Sequence, residues 1–345
     1  MASTDLWPLG PSIAIFAAAA LVVAVGGIMI TRRAESLARL TGLGQAVMGA
    51  LFLGATTSLS GLVTSLTAAA GGHAALSVSN GIGGIAAQTA FLAIADLAYR
   101  KANLEHAAAS ETNLVQGALL IVLLAIPLLA MLAPPVAMLG VHPASILLLA
   151  SYVYGVHLIS QAHRVPMWRP TQTRETQPPE RVSAPRGRRA LLRLWLEFAT
   201  LAVLVGSGGW AIAKSGVAIS VHADISQSAV GTIFTAISTS LPELVIAVTA
   251  VRAGALTLAV GDIIGGNTFD VLFLCFSDLF YRQGSIYHAA TPTQAFWIAL
   301  SLLMTAVLLT GLLRRQKHGI ANIGFESFLV LLLYAGGVAT LALWP

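Results

Sequence analysis

The chain has 345 residues, 57% of them hydrophobic and only 10% charged, with a formal net charge of +5 and a mean hydropathy of +0.82. A soluble domain of this length does not carry so much apolar sequence, which leaves a polytopic membrane protein. The lone cysteine, Cys275, excludes an internal disulfide framework. The arginines lie between apolar runs rather than along one basic face, so the expected partner is membrane lipid and not nucleic acid.

Apolar runs of spanning length predict ten helices, roughly 11–31, 43–70, 74–98, 113–133, 142–161, 190–213, 225–251, 256–280, 292–313 and 322–343. The first run has no basic region before it and is expected to be a span rather than a secretory signal. Arg32, Arg33 and Arg39 follow the first span, Arg100 and Lys101 the third, Arg252 the seventh, and Arg314, Arg315 and Lys317 the ninth. A run of arginines from Arg164 to Arg193 follows the fifth. With ten spans all these loops share a face, and the positive-inside rule puts them in the cytoplasm with both termini outside, in the plasma (inner) membrane. Trp7, Trp195 and Trp344 stand near span ends, as interfacial anchors do. Residues 161–190 are rich in Arg, Pro, Thr and Glu and read as a disordered cytoplasmic linker. The expected organisation is a five-helix half over 1–160, the linker over 161–190, and a second five-helix half over 191–345.

An internal repeat supports that division. Residues 49–100 align without a gap on 231–282: Thr57-Ser58-Leu59 matches Thr239-Ser240-Leu241, Ile82-Gly83-Gly84 matches Ile264-Gly265-Gly266, and Asp96-Leu97 matches Asp278-Leu279. Five spans separate the copies, an odd number, so the second crosses in the opposite direction, the pattern of a secondary transporter.

Two polar islands stand out in the second copy, Ser238-Thr239-Ser240-Leu241-Pro242-Glu243-Leu244 and Gly261-Asp262-Ile263-Ile264-Gly265-Gly266-Asn267-Thr268-Phe269-Asp270. An ionised carboxylate inside a span costs several kcal/mol, about 2.5–3.5 on insertion scales, and such residues usually serve a pathway or have a partner. Pro242 has no N–H and deprives the Ser238 carbonyl of its helical partner. Carboxylates, hydroxyls and a freed carbonyl are hard oxygen donors suited to hard cations.

These two motifs, with the ten-span layout, resemble the α-repeat of the cation/calcium exchanger superfamily, which includes sodium/calcium exchangers. The resemblance implies an all-α membrane fold with a 5+5 inverted repeat and broken helices meeting at the midplane. It also implies a cation site there: Glu243 as the motif glutamate, Ser240 as a hydroxyl ligand, Thr239 and Ala236 as carbonyl donors, and Asp270 closing the second motif. From the first repeat it implies Ser58 and Thr57. The first repeat departs from the family pattern: Ser60-Gly61 replaces Pro-Glu, Gln88 stands where an amide or acid closes the motif, and Ile85 replaces an asparagine. One charge and two oxygens are thereby removed. Glu243 and Asp270 balance a Ca²⁺ but leave no surplus carboxylate for several Na⁺ ions.

Other readings stay open residue by residue. Thr57, Ser58, Thr239 and Ser240 are either ligands or hydroxyls bonded back to a helix carbonyl or across helices. Gln88 is either a ligand or an interhelical amide. Asp262, about 12 Å along a helix from Asp270, is either an ion or proton relay at the cytoplasmic mouth or a carboxylate favouring a helix N-terminus. Asp96 and Asp278 precede Arg100 and Arg282 by one turn and are expected to pair with them. Span seven is expected to break near 238–242, whereas span two, lacking the proline, is expected to keep its ladder, loosened by Gly54 and Gly61.

The function expected is secondary cation antiport of Ca²⁺ or another cation against Na⁺ or H⁺ at an intramembrane Glu/Asp site. The alternative is a transport-inactive ion sensor or scaffold on the same fold. No catalytic constellation is present in the sequence, so no enzymatic role or organic cofactor is expected. The partners expected are lipid and small inorganic cations; the oligomeric state is open.

Overall fold

A computed structural model describes residues 6–41, 54–99, 103–136, 140–164, 188–316, 324–341 and 343. The described residues form helices α1 (Leu9–Thr41), α2 (Gly54–Thr57), α3 (Leu59–Ala70), α4 (Ala74–Leu97), α5 (Leu104–Ala107), α6 (Glu111–Leu132), α7 (Pro143–Arg164) and α8 (Arg188–His222). They continue with α9 (Gln227–Thr239, π-helical over Val230–Thr235), α10 (Leu241–Arg252), α11 (Leu256–Asp270) and α12 (Leu272–Phe280). The last are α13 (Ile286–Ala289), α14 (Pro292–Arg314) and α15 (Phe325–Leu341). Among the described residues seven helices are long and apolar enough to cross a membrane, with α11 and α12 counted as one run over Leu256–Phe280, or eight if α9 and α10, bent by 47° at their break, count as one span. The other two of the ten expected spans fall on shorter apolar helices, α3 and α15. Most of the expected linker, Arg39's side chain, Arg100, Lys101, Lys317 and Trp344 lie outside the described set.

The repeat extends well beyond the stretch visible in the sequence. At the 182-residue spacing that separates Gln88 from Asp270, α3 and α10 begin and end in register, as do α5 and α13. α1 matches α8, α4 matches α11 with α12, α6 matches α14, and α7 matches α15. α4 lies almost wholly inside the bundle, whereas α8 turns most of its surface outward, where its apolar residues suit lipid. α1 and α8 pack along each other, and Glu197 of α8 ties them by accepting from Arg33 Nε at 3.0 Å and from Arg193 Nε at 2.9 Å. The pairing with Arg193 spans one turn of α8, and that with Arg33 joins α8 to α1.

Each member of the α1/α8 pair meets a broken helix through a glycine. A Cβ on Gly27 would lie 2.4 Å from Pro242 Cγ, and one on Gly209 would lie 2.4 Å from the Ser60 carbonyl oxygen. The two contacts are repeat equivalents, so the absence of a side chain is what lets α1 and α8 close on the interruptions.

The expected pairing of Asp278 with Arg282 is corrected by the structure, whereas that of Asp96 with Arg100 falls on a residue outside the described set. Asp278 Oδ1 accepts from the Ile286 N–H at 3.1 Å, and Oδ2 accepts from the His142 N–H at 2.7 Å and the Ser145 hydroxyl at 2.8 Å. Arg282, its expected partner, is exposed. Asp96 follows the same plan, with Oδ1 accepting from Leu104 N–H at 2.7 Å and Oδ2 from Gly324 N–H at 3.1 Å. Orphan N–H groups at the starts of two short helices and two long ones outbid the flexible arginine, because an unsatisfied buried N–H costs more than a solvent-exposed ion pair returns. Each aspartate therefore clasps the last long helix of the other half.

Beside these clasps, Ser145 meets Tyr287 Oη at 2.9 Å, and the equivalent Ser327 donates its N–H to Glu105 Oε1 at 3.0 Å and its hydroxyl to the same oxygen. Glu105 Oε2 has no partner among the described residues. Burial first, then the charge of Asp96, pushes the Glu105 carboxyl from 4.5 up to about 7; Glu326, itself bonded to Arg314 at 3.1 Å, adds to the effect. Between pH 4.5 and about 7 the folded chain keeps a proton that the unfolded chain releases. Stability is therefore lost as pH rises through that window. Glu105→Gln is expected to flatten the fall, gaining at most about 3 kcal/mol on the parent by neutral pH. Thermal melting of both proteins across that window checks it, and parallel pH profiles would count against it.

Candidate cation site

The site forms where the interruptions of one repeat meet the second helix of the other: α10 and the end of α9 pack on α4, α11 on α2, and α12 on α3. Ser240, between α9 and α10, has φ −100° and ψ 5°; Ser58, between α2 and α3, has φ −82° and ψ 4°. A ψ near zero leaves the helical basin, so the chain turns at both serines. In span two the ladder nevertheless runs through the turn, as expected without a proline: the Ser58 N–H donates to the Gly54 carbonyl at 3.0 Å and the Ser58 carbonyl accepts from the Leu62 N–H at 2.9 Å. Contacts across the repeats flank the turn. Ser60, standing where the second repeat has Pro242, donates its hydroxyl to the Thr239 carbonyl at 3.2 Å, while Gly209 abuts the Ser60 backbone.

Glu243 lies in the first turn of α10 and is only 3% exposed; Asp270 is the last residue of α11 and 2% exposed. The two carboxyl groups are close enough for their charges to interact. Asp270 Oδ2 accepts from Gln88 Nε2 at 2.7 Å, and the same nitrogen reaches Ser240 Oγ at 3.3 Å. Glu243 Oε2, Asp270 Oδ1 and Gln88 Oε1 have no partner among the described residues. Ser58 lies beside Asp270 but forms no hydrogen bond of ordinary geometry. Gly84 leaves room here, since a Cβ on it would come within 3.5 Å of Ser240 Oγ and 3.9 Å of Asp270 Oδ2.

The remaining residues expected at the site are placed as follows. Thr57 Oγ1 donates to the Gly54 carbonyl at 3.1 Å, and Thr239 Oγ1 to the carbonyls of Thr235 at 3.0 Å and Ala236 at 3.2 Å. The Ala236 carbonyl also accepts from the Ser240 N–H at 3.1 Å. Asp262 is half-buried near Glu35 of α1, its Oδ2 without a hydrogen bond, and its charge reaches Glu243. The equivalent Asn80 is a satisfied structural amide, bonded to Gly61, Ser65 and Thr235. Among the described residues no group of three or more acidic, histidine or cysteine side chains is placed to hold a metal.

Two amides were not singled out by sequence reasoning. Asn267 on α11 donates to Thr89 Oγ1 at 3.1 Å and leaves its buried Oδ1 unpartnered; its place in the second polar island was the available signal. Gln116 on α6 lies against Gly265 with its buried Oε1 unpartnered, and an amide near the start of a span, one turn after Asn113, gave none.

The described residues thus define an all-helical membrane bundle built as an inverted repeat, with two buried acids beside its helix ends. The family model described as sodium/calcium exchanger protein matches residues 11–160 and 193–343, and the chain belongs to that family of transporters. A sodium/calcium exchanger, MaX1, of Methanosarcina acetivorans is 36% identical over 112 residues, a match spanning 32% of each chain. Among solved structures, the sodium-calcium exchanger NCX_Mj soaked with Na⁺ and Sr²⁺ superposes with a TM-score of 0.60 at 18% identity, over 95% of this chain and 98% of that one. An H⁺/Ca²⁺ exchanger CAX superposes with a TM-score of 0.71 at 14% identity, over 99% of this chain and 83% of that one. At these identities the superpositions establish the fold.

Proposed function

We propose that the chain is a secondary active antiporter that exchanges Ca²⁺ or another cation against Na⁺ or H⁺ by alternating access at the Glu243–Asp270 site. One observation carries the reading: two carboxyl groups withdrawn from solvent, each with an unpartnered oxygen, lie at helix ends between the repeats, near enough for their charges to interact. Charge in such a place is costly unless a counter-charge joins it, and hard oxygen donors select a hard cation. Burial also favours the neutral form of any carboxyl group, so a proton is an equally available counter-ion. Coupling follows because the site does not hold both ions at once, and an empty charged site is expensive to carry through a dry barrier. The relatives' names point the same way, one being a sodium/calcium and another an H⁺/Ca²⁺ exchanger. We read the loops bearing Arg32, Arg33, Arg252, Arg314 and Arg315 as cytoplasmic, with both termini outside.

The test is isotope and dye flux of Ca²⁺, Mg²⁺, Na⁺, K⁺ and H⁺ in proteoliposomes. Glu243→Gln is expected to abolish coupled flux, a loss on the order of 100-fold or more, while its melting curve stays intact. Unchanged flux removes Glu243 from the mechanism. Cation-dependent stabilisation with no flux in any arm would support an ion sensor instead.

A further inference from the structure

Gln88 occupies the position equivalent to Asp270, and the two side chains face each other across the repeat interface at 2.7 Å. An ionised carboxylate only accepts hydrogen bonds, so the amide must turn its nitrogen toward Asp270 and its oxygen away. The same nitrogen reaches Ser240 Oγ. Gln88 Oε1 is then left buried without a partner, on the side of Gly266, where a Cβ would lie 3.5 Å from it. One –NH₂ group thus bridges a carboxylate oxygen and a hydroxyl oxygen inside the bundle, as a bound cation would. A Ca²⁺ sits about 2.3–2.6 Å from its oxygens, and a cation on the same lone pairs would meet the amide hydrogens head-on.

We infer that the Gln88 amide nitrogen is a tethered substitute for one cation and limits this chain to fewer bound ions than an acidic residue at position 88 would allow. The inference deepens the cation-exchange reading of the site and rests on it. Asp270 Oδ2 and Ser240 Oγ are committed to the amide. The oxygens left to a mobile ion are Glu243 Oε2, Asp270 Oδ1, Gln88 Oε1 and the Ser58 hydroxyl. These are fewer than the roughly six to eight oxygens that surround Ca²⁺, so water or backbone carbonyls must complete the shell. Gln88 is on this account a specificity-determining residue, acting through the oxygens it occupies.

The full chain, purified in detergent, is titrated with NaCl and separately with CaCl₂. Bound ²²Na or ⁴⁵Ca per chain is counted, and the cooperativity of ion-dependent thermal stabilisation is measured. For Na⁺ the parent is expected to titrate without cooperativity. Gln88→Glu is expected to bind about one additional Na⁺, with a Hill coefficient above one and half-saturation at roughly tenfold lower Na⁺. Gln88→Ala, which frees the same oxygens without adding charge, is expected to gain the additional ion more weakly, and it decides the matter if Gln88→Glu does not fold. Stoichiometry and cooperativity equal to the parent's in the folded variants, with the parent itself binding cations, overturn the inference alone. Absence of binding in the parent and in every variant overturns the cation-site reading beneath it as well.

Discussion

Gly209→Ala is expected to be the most damaging single-methyl change in the bundle. Its Cβ would stand 2.4 Å from the Ser60 carbonyl oxygen and 3.1 Å from the Ser60 Cα. These are backbone atoms, so no rotamer relieves the clash, and α8 must lift away from α3. Overpacking of this kind costs about 1–3 kcal/mol and occasionally more. The displacement acts on the residue whose hydroxyl holds the Thr239 carbonyl, so cation flux is expected to fall with the melting temperature. Gly27→Ala meets the Pro242 ring in the equivalent place and should behave similarly. Gly336→Ala serves as the control: nothing lies within 4 Å of its Cβ, and alanine in an exposed helix gains up to about 1 kcal/mol over glycine. Equal melting temperatures for Gly209→Ala and the parent would show that α8 does not bear on the interruption as described.

Asp278→Ala is expected to cost about 3–5 kcal/mol, the second large effect. The carboxylate satisfies the N–H of Ile286, the N–H of His142 and the hydroxyl of Ser145. Truncation leaves two backbone donors buried without acceptors and unlatches the start of α7 from the end of α12. Asp278→Asn keeps one acceptor oxygen but turns an amide donor toward donors, so partial rescue is expected. A thermal melt on detergent-solubilised protein reads the loss, and hydrogen exchange at His142 and Ile286 localises it. Protected amides in Asp278→Ala would refute the clasp. Asp96→Ala should reproduce the effect at Leu104 and Gly324.

The sequence revealed the fold through two features, spans set by bilayer thickness and an odd number of crossings between copies of a polar motif. The detectable repeat stopped near residue 100 because beyond it the equivalent helices share only apolar character, and leucine, valine and alanine exchange freely against lipid. Scattered identities do persist at the same spacing. His106 and His288 each bond a carbonyl of the other repeat, that of Arg315 at 2.7 Å and of Ala133 at 2.8 Å, and Ser145 and Ser327 hold equivalent braces. Without the fold such isolated matches carry no weight.

The central acids were legible for an energetic reason, since Glu243 and Asp270 have no cheap explanation within a membrane span. The turn at Ser58 in span two was not, because proline is a conspicuous cause of such turns but not their only one. Ser58 takes its ψ of 4° without a proline in the following turn. The partners of Asp96 and Asp278 were also hidden. Turn-spaced arginines are a local signal, whereas Gly324 and His142 lie 228 and 136 residues away from their aspartates.

The crossed clasps set the order in which this polypeptide can be completed. His142 emerges from the ribosome long before Asp278, so α7 must wait, its first turn open, for the second half to be made. Asp96 waits longer still, until Gly324 arrives with the final helix. A chain cut after residue 160 would therefore lack both sets of partners, leaving Asp96 without the Gly324 N–H and the His142 N–H without Asp278.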